Sequence, residues 1–309
     1  MSQAPEPSVR DTPWAPTHRP GRVLAADGVG LHYDVVGTGP HTVMLANGLG
    51  GRLYSWRPLV TALWERYRFI TWDYRGLFES DSPRSLRRLA LAHHVEDARA
   101  ILDAEGVARA AFVGWSMGVQ VALEFAAAEP GRVAGLALVN GTYGHVLSHG
   151  FQPIFSLPGL PPRLHAILEF LRDHPSLAGW LARLARTTEI PTMGIFLLTA
   201  GRRVKELRPM LRQYFADVLG PSFTTYLRLF QELDAHSAYH LLREIDTPTL
   251  IVSGALDPLT PARQSLQMAR RMPRARHLRL WRAGHFALLE RPDVVVPAIA
   301  RFLAGEAGW

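Results

Sequence analysis

"FVGWSMGVQVALEFA", Phe112 to Ala126, runs an apolar stretch through a glycine-flanked serine into a second apolar stretch with helical spacing. The first part reads as a buried strand and the second as a helix, so Gly114-Trp115-Ser116-Met117-Gly118 falls on the turn between them. A serine at such a turn sits on strained backbone, and a side chain at either glycine would crowd the neighbouring strand or helix. By itself the G-x-S-x-G pattern is weak, arising by chance in roughly one chain in ten of this length. Its meaning depends on what surrounds it.

Upstream, "RVLAA", "LHYDVV" and "TVMLA", separated by turns at Asp27-Gly28 and "GTGP", predict short strands joined by two hairpin-like connections. Helical spacing over 56–64, 94–105 and 119–128 then alternates with the apolar runs "RFITW", "AAFVG" and "VAGLALV". Alternation of this kind predicts parallel βαβ units, hence an α/β fold with a doubly wound, mostly parallel sheet. The pattern stops near Gly144 and resumes at Thr249 with "TLIVSG", a helix over 261–271, "RHLRLW" and a helix over 293–303. In between, apolar residues at helical spacing (Leu164, Ile167, Leu168, Leu171), broken by prolines, predict an all-helical insertion over the sheet. The expected organisation is a disordered N-terminal tail over 1–20, a core over 21–144 and 246–309, and a helical cap over 145–245.

Composition narrows the function. Hydrophobic residues make up 48% and charged residues 20% of the 309, as in a globular protein. The net charge of +7 comes from arginines, Lys205 being the one lysine, scattered without a patch or stripe; no nucleic-acid partner is expected. The absence of cysteine excludes thiolate nucleophiles, disulfides and cysteine metal sites. The first twenty residues, with five prolines, lack the apolar core of a secretory signal, and the longest apolar patch, "MGIFLLTAG", is far short of the roughly 20 residues that span a bilayer. A cytoplasmic location is the default expectation. The glycine loop "NGLGGRLYS" matches neither phosphate-cradling pattern, and the pairs His93-His94 and His145 with His149 lack a third ligand at recognisable spacing, so neither nucleotide nor metal is expected.

A serine hydroxyl is a weak nucleophile until a base takes its proton, and that base needs an orienting carboxylate. "LIVSGALDPLTP" offers Asp257 just past one predicted strand, and "LWRAGHFALLERP" offers His285 just past the next. In an open parallel sheet the carboxyl edge is where ligands bind, so Ser116, Asp257 and His285 are expected to converge on one crevice.

On these residues the chain resembles the α/β-hydrolase superfamily from about Arg22 to Leu303, apart from the insertion. "DYRGLFESD", Asp73 to Asp81, is similar to that superfamily's D-x-R-G-x-G-x-S loop, with Phe78 where a glycine is usual. The resemblance implies a cofactor-free serine hydrolase that cleaves a carboxylic ester through an acyl-enzyme. Ser116 would attack, His285 would serve as base and Asp257 would orient it, while the backbone N–H groups of Leu49 and Met117 would form the oxyanion hole. The oxyanion loop, "HTVMLANGLGGRLYSW", carries Asn47 where the family usually has histidine. Asn47 would either tie that loop down or reach into the site, and Trp115 and Phe286 are further candidates for substrate binding. A serine at the elbow disfavours the dehalogenase and epoxide-hydrolase chemistries that use aspartate there. C–C bond hydrolysis of diketone-like substrates, lyase or perhydrolase activity, and a ligand-binding receptor with a vestigial triad share the same residues and stay open. Aromatics of the insertion (Phe151, Phe155, Trp180, Phe196, Phe215 and Phe230) either face a small-molecule, partly hydrophobic acyl substrate or only pack the insertion's own core. The stretch "LAGWLARLAR" is amphipathic, but membrane contact is not expected, and no oligomeric state is indicated.

Overall fold

The computed structural model describes residues 12–152, 157, 159–188, 194, 198–199, 204–220 and 222–308. Eight strands form one sheet: β1 (Arg19–Leu24), β2 (Gly30–Val36), β3 (His41–Ala46), β4 (Tyr67–Trp72), β5 (Ala110–Trp115), β6 (Val133–Val139), β7 (Thr249–Gly254) and β8 (Ala275–Leu280). Their order is β1-β2-β4-β3-β5-β6-β7-β8. The β1–β2 and β2–β4 pairs are antiparallel and the rest parallel, giving the expected α/β, mostly parallel sheet.

Only the first of the two expected hairpins forms. β2 pairs with β4, and β3 crosses over to lie between β4 and β5. The burial patterns supply the reason. β3 is buried at every position but its first, as a strand covered on both faces must be, whereas β2 shows partly exposed positions near the open edge.

Successive residues of a strand point to opposite faces, and the core divides accordingly into two apolar clusters. Met44 and Phe112 join Leu102, Phe125 and Met268 on one face, from helices Leu91–Ala104, Met117–Ala128 and Ala262–Arg271. Leu45 and Val113 join Leu59 and Phe302 on the other, from helices Arg57–Leu63 and Pro292–Gly305. The sheet is thus wound on both sides.

The expected N-terminal tail is ordered from Thr12 onward, its first eleven residues lying outside the described ones. Trp14 buries its ring in the second cluster, Ala15–Thr17 makes a 3₁₀ turn, and the Thr17 hydroxyl accepts the Gly37 N–H at 3.1 Å. One large apolar side chain anchors a segment whose proline content had suggested disorder, since burying it contributes about 1.5–3 kcal/mol.

Between β6 and β7 the described segments are helical: Val146–His149, Leu160–Asp173, Pro175–Arg186, Val204–Val218 and Phe223–Ala235. Helix Pro175–Arg186 buries only Ala178 and Ala182, leaving Leu177, Trp180, Leu181 and Leu184 exposed. Of the aromatics singled out in this stretch, Phe155 and Phe196 lie outside the described residues.

Candidate active site

β5 delivers the chain to Ser116, which adopts φ 53° and ψ −114°, a conformation that costs an L-residue on the order of 1–3 kcal/mol. The Ser116 N–H donates to the Val139 carbonyl at 3.1 Å, tying the turn to β6. Helix Met117–Ala128 starts at the very next residue, two positions before the apolar periodicity suggests. Gly118 explains how it can: any Cβ there would overlap the Ala46 carbonyl at the end of β3. The glycine lets the helix start press against the end of β3 and the loop that follows it.

Asp257 and His285 sit on the loops that follow β7 and β8, at the same edge of the sheet. His285 Nε2 lies 3.1 Å from Ser116 Oγ, and His285 Nδ1 lies 2.9 Å from Asp257 Oδ2. All three sequence candidates therefore meet. The Asp257 carboxylate is buried and fully engaged. Oδ1 accepts the Leu259 and Thr260 N–H groups at 2.9 and 3.0 Å, while Oδ2 also accepts Thr260 Oγ1 at 2.6 Å and Asn140 Nδ2 at 2.9 Å. Burial alone would push this carboxyl up, but the charge and hydrogen bond of His285 and the Thr260 hydrogen bonds outweigh it and hold the group below the usual carboxylate range. Asp257 is thus an anion facing the imidazole.

Several side chains absent from the sequence reading hold this arrangement. Asn140, at φ 44°, donates to both Asp257 Oδ2 and the Gly284 carbonyl at 2.9 Å, bridging the two loops. Glu290 is buried and receives the Gly284 N–H on both oxygens at 3.0 Å and the Phe286 N–H at 3.2 Å, so its carboxylate clamps the backbone on either side of His285. The His285 N–H itself donates to the Leu198 carbonyl of the insertion at 2.6 Å.

Trp115 and Phe286 are neighbours, with rings 5.3 Å apart, but they pack behind the site instead of lining its cavity. Trp115 Nε1 donates to the His285 carbonyl at 3.1 Å, and its ring lies so close to Gly48 that a Cβ there would come within 2.6 Å. Alternation explains this: at the last position of β5, Trp115 points to the face opposite Phe112 and Gly114.

Asn47 likewise is not among the residues that line the cavity. It is 1% exposed; Nδ2 donates to the Trp72 carbonyl at 2.7 Å, Oδ1 accepts Trp56 Nε1 at 2.6 Å and Thr71 Oγ1 at 3.2 Å, and its carbonyl accepts the Tyr74 hydroxyl at 2.6 Å. Its amide ties the loop to β4 and to the turn that follows. The Leu49 carbonyl is held from above by the Tyr214 hydroxyl at 2.7 Å, a residue of helix Val204–Val218. No acceptor for the Leu49 or Met117 N–H occurs among the described residues, which leaves both donors available beside Ser116.

Ser116 and His285 open into a cavity of about 250 Å³, with Leu49 on its rim and Phe215, Phe230 and Leu227 among its walls. The insertion supplies most of the apolar surface. Phe78, the departure from the family loop, adopts φ 52° and fills space that glycine would leave, with its ring 6.5 Å from Tyr226 and under the Arg52 guanidinium at 4.5 Å. Among the described residues no group of three His, Cys, Asp or Glu side chains could hold a metal ion, and no helix is long and apolar enough to cross a membrane.

Residues 41–292, most of the chain, match the family model described as the alpha/beta hydrolase fold. The chain belongs to the alpha/beta hydrolase family. Among its relatives, a protein named as carbamate hydrolase RutD of Caulobacter vibrioides is 28% identical over 89% of this chain and 96% of its own length. One named as non-heme bromoperoxidase BpoC of Mycobacterium tuberculosis is 26% identical over 89% and 98%. Among solved structures, this hydrolase superposes on the enol-lactonase of Burkholderia xenovorans with a TM-score of 0.74 at 22% identity, covering 92% of this chain and 100% of that one. At that identity the likeness concerns the fold.

Proposed function

We propose that this alpha/beta hydrolase is a serine esterase acting on a small, partly hydrophobic carboxylic ester, with no cofactor taking part. The observation that carries the reading is the pair of contacts running from Ser116 Oγ to His285 Nε2 at 3.1 Å and from His285 Nδ1 to Asp257 Oδ2 at 2.9 Å, beneath an apolar cavity. Ser116 Oγ attacks the carbonyl carbon as its proton passes to His285 Nε2, and Asp257 stabilises the imidazolium. The carbonyl oxygen, now negative, is bound by the Leu49 and Met117 N–H groups; one such donor contributes about 3–4 kcal/mol in the transition state. Collapse expels the alcohol, which takes the proton from Nε2. Water then attacks the acyl-enzyme, gives its proton to Nε2, and releases the acid as Ser116 recovers its hydrogen.

The cavity supports a short substrate with a hydrocarbon body. At about 250 Å³ it lies below the roughly 300–1,000 Å³ of sites for drug-sized ligands, and its walls are mostly apolar. That lining favours an ester over a small polar carbamate, the substrate class in the name of the Caulobacter relative. Hydrolysis of p-nitrophenyl butanoate by wild type, lost by a factor of about 10⁵ or more in Ser116→Ala, is the expected result. A Ser116→Ala variant that keeps its activity would overturn the reading.

A further inference from the structure

Helix Pro175–Arg186 places Leu177, Trp180, Leu181 and Leu184 along one side at helical spacing, and the ordinary fate of such a side is burial against the core. Here the alanine side goes inward instead. Ala178 and Ala182 are 0% and 2% exposed, whereas Trp180 and Leu184 are 53% and 48% exposed. Helix Leu160–Asp173 repeats the inversion: none of its residues is buried, and Ile167 and Phe170 are each more than half exposed. The two helices pack on one another and on helix Phe223–Ala235, so the large apolar side chains lie on the sides turned away from that helix. Exposed apolar side chains grouped in this way mark an interaction surface.

The charges beside them select the partner. Arg183 follows Trp180 by one turn, Arg163 precedes Ile167 by one turn, and neither guanidinium has an ion-pair partner among the described residues. Helix Pro175–Arg186 carries no acidic residue, and the two acids of helix Leu160–Asp173, Glu169 and Asp173, both neighbour Arg172. The chain as a whole bears a net charge of +7. A symmetric contact with a second copy would bring the same unpaired arginines toward one another. Anionic phospholipid complements them, and a tryptophan among leucines with arginine at its flank suits the boundary between headgroups and acyl chains.

We propose that helices Leu160–Asp173 and Pro175–Arg186 dock this protein on an anionic phospholipid surface, with Trp180 and its apolar neighbours in the headgroup–acyl boundary and Arg163 and Arg183 against lipid phosphates. The contact is peripheral, since no described helix is long and apolar enough to cross a bilayer. Helix Phe223–Ala235, on which both docking helices rest, also supplies Leu227, Phe230 and Leu233 to the wall of the catalytic cavity. Docking therefore brings that cavity within one helix of the lipid. The proposal does not rest on the esterase reading.

The test sediments the full chain with vesicles of phosphatidylcholine, either alone or with about one third phosphatidylglycerol. Wild type is expected to pellet with the anionic vesicles and to bind the neutral ones at least about tenfold more weakly. The double variant Trp180→Gln/Leu184→Gln weakens anionic binding by about tenfold or more with Tm unchanged, and Arg183→Gln weakens it by about fivefold. Brominated phosphatidylcholine in the anionic vesicles quenches the fluorescence of wild type more than that of Trp180→Phe. Wild type that stays in the supernatant, or a double variant that binds as tightly as wild type, would overturn the proposal. So would a lipid-free dimer, seen by light scattering, that the double variant dissociates, because the surface would then belong to a second copy. Where the double variant melts earlier than wild type, the brominated-lipid comparison decides, and equal quenching of wild type and Trp180→Phe would overturn the proposal.

Discussion

Asp257→Asn isolates the electrostatic half of the proposed machinery, because the amide is the same size as the carboxylate and the surroundings dictate which way it turns. Oδ1 faces two backbone N–H groups, Leu259 and Thr260, which cannot become acceptors. Oδ2 faces Thr260 Oγ1, Asn140 Nδ2 and His285 Nδ1. The hydroxyl rotates and the imidazole changes tautomer, while a flip of the Asn140 amide presents its otherwise unpartnered Oδ1 to the new NH₂ at the cost of the Nδ2 bond to the Gly284 carbonyl. The variant amide therefore keeps its oxygen toward the backbone and turns its NH₂ toward His285. Nδ1 then accepts, the proton moves to Nε2, and the nitrogen facing Ser116 can no longer take a proton. Stability changes by only about 1 kcal/mol, one net hydrogen bond. By contrast kcat falls by about 10⁴, close to 5.4 kcal/mol of barrier. Stopped-flow or steady-state hydrolysis of p-nitrophenyl butanoate, alongside a thermal melt, measures both. A variant that folds normally and retains more than a tenth of wild-type kcat would refute the assignment of Asp257.

Other consequences concern the supports. Asn47→Ala leaves Trp56 Nε1 and the Trp72 carbonyl buried without partners, costing about 2–6 kcal/mol and lowering Tm by several degrees, while the kcat of the folded enzyme stays within a few-fold; a large kcat loss with unchanged Tm would restore a direct role for its amide. Tyr214→Phe frees the Leu49 carbonyl, and a kcat fall of about tenfold with little change in KM is expected; unchanged kcat would show that the oxyanion loop needs no tether from the insertion. His94 is fully buried and, through burial and the nearby Arg75 charge, has its pKa lowered from 6.5 to about 3. The unfolded chain protonates first, so this stability is complete above pH 6.5 and is lost as pH falls toward 3, by about 2 kcal/mol between pH 6.5 and 5. Urea melts should show a shallower acid slope for His94→Gln, which keeps a donor for the Leu89 carbonyl; equal slopes would exclude this histidine as a source of acid lability.

Local chemistry was legible in the sequence and long-range partnership was not. Ser116 announced itself because a tight strand-to-helix turn needs glycines at fixed offsets, and Asp257 and His285 because each follows an apolar run ending at the same sheet edge. Asn140, Thr260 and Glu290 carry no such mark. Asparagine after a strand, threonine in a Pro-rich turn and glutamate in a short helix are ordinary choices, and their role appears only when residues 117 positions apart, as Asn140 and Asp257 are, come within hydrogen-bonding distance. Trp115 and Phe286 are next to Ser116 and His285 in sequence, yet alternation along β5 sends the Trp115 ring behind the sheet edge. Asn47 left two readings open, and three buried hydrogen bonds of its amide favour the tie. Strand order escaped for a similar reason: the "GTGP" turn resembles a hairpin connection, while the burial of β3 on both faces places it in the middle of the sheet.

The central claim is that Ser116 is the nucleophile and that the folded site activates it. Intact and peptide mass spectrometry after exposure to a fluorophosphonate probe tests it most directly. The account predicts one phosphonyl adduct per chain, carried by the peptide containing Ser116, absent from Ser116→Ala and from heat-unfolded protein, and formed far more slowly in His285→Ala. Folded wild-type protein that gains no adduct, or gains it at another residue, would contradict the account.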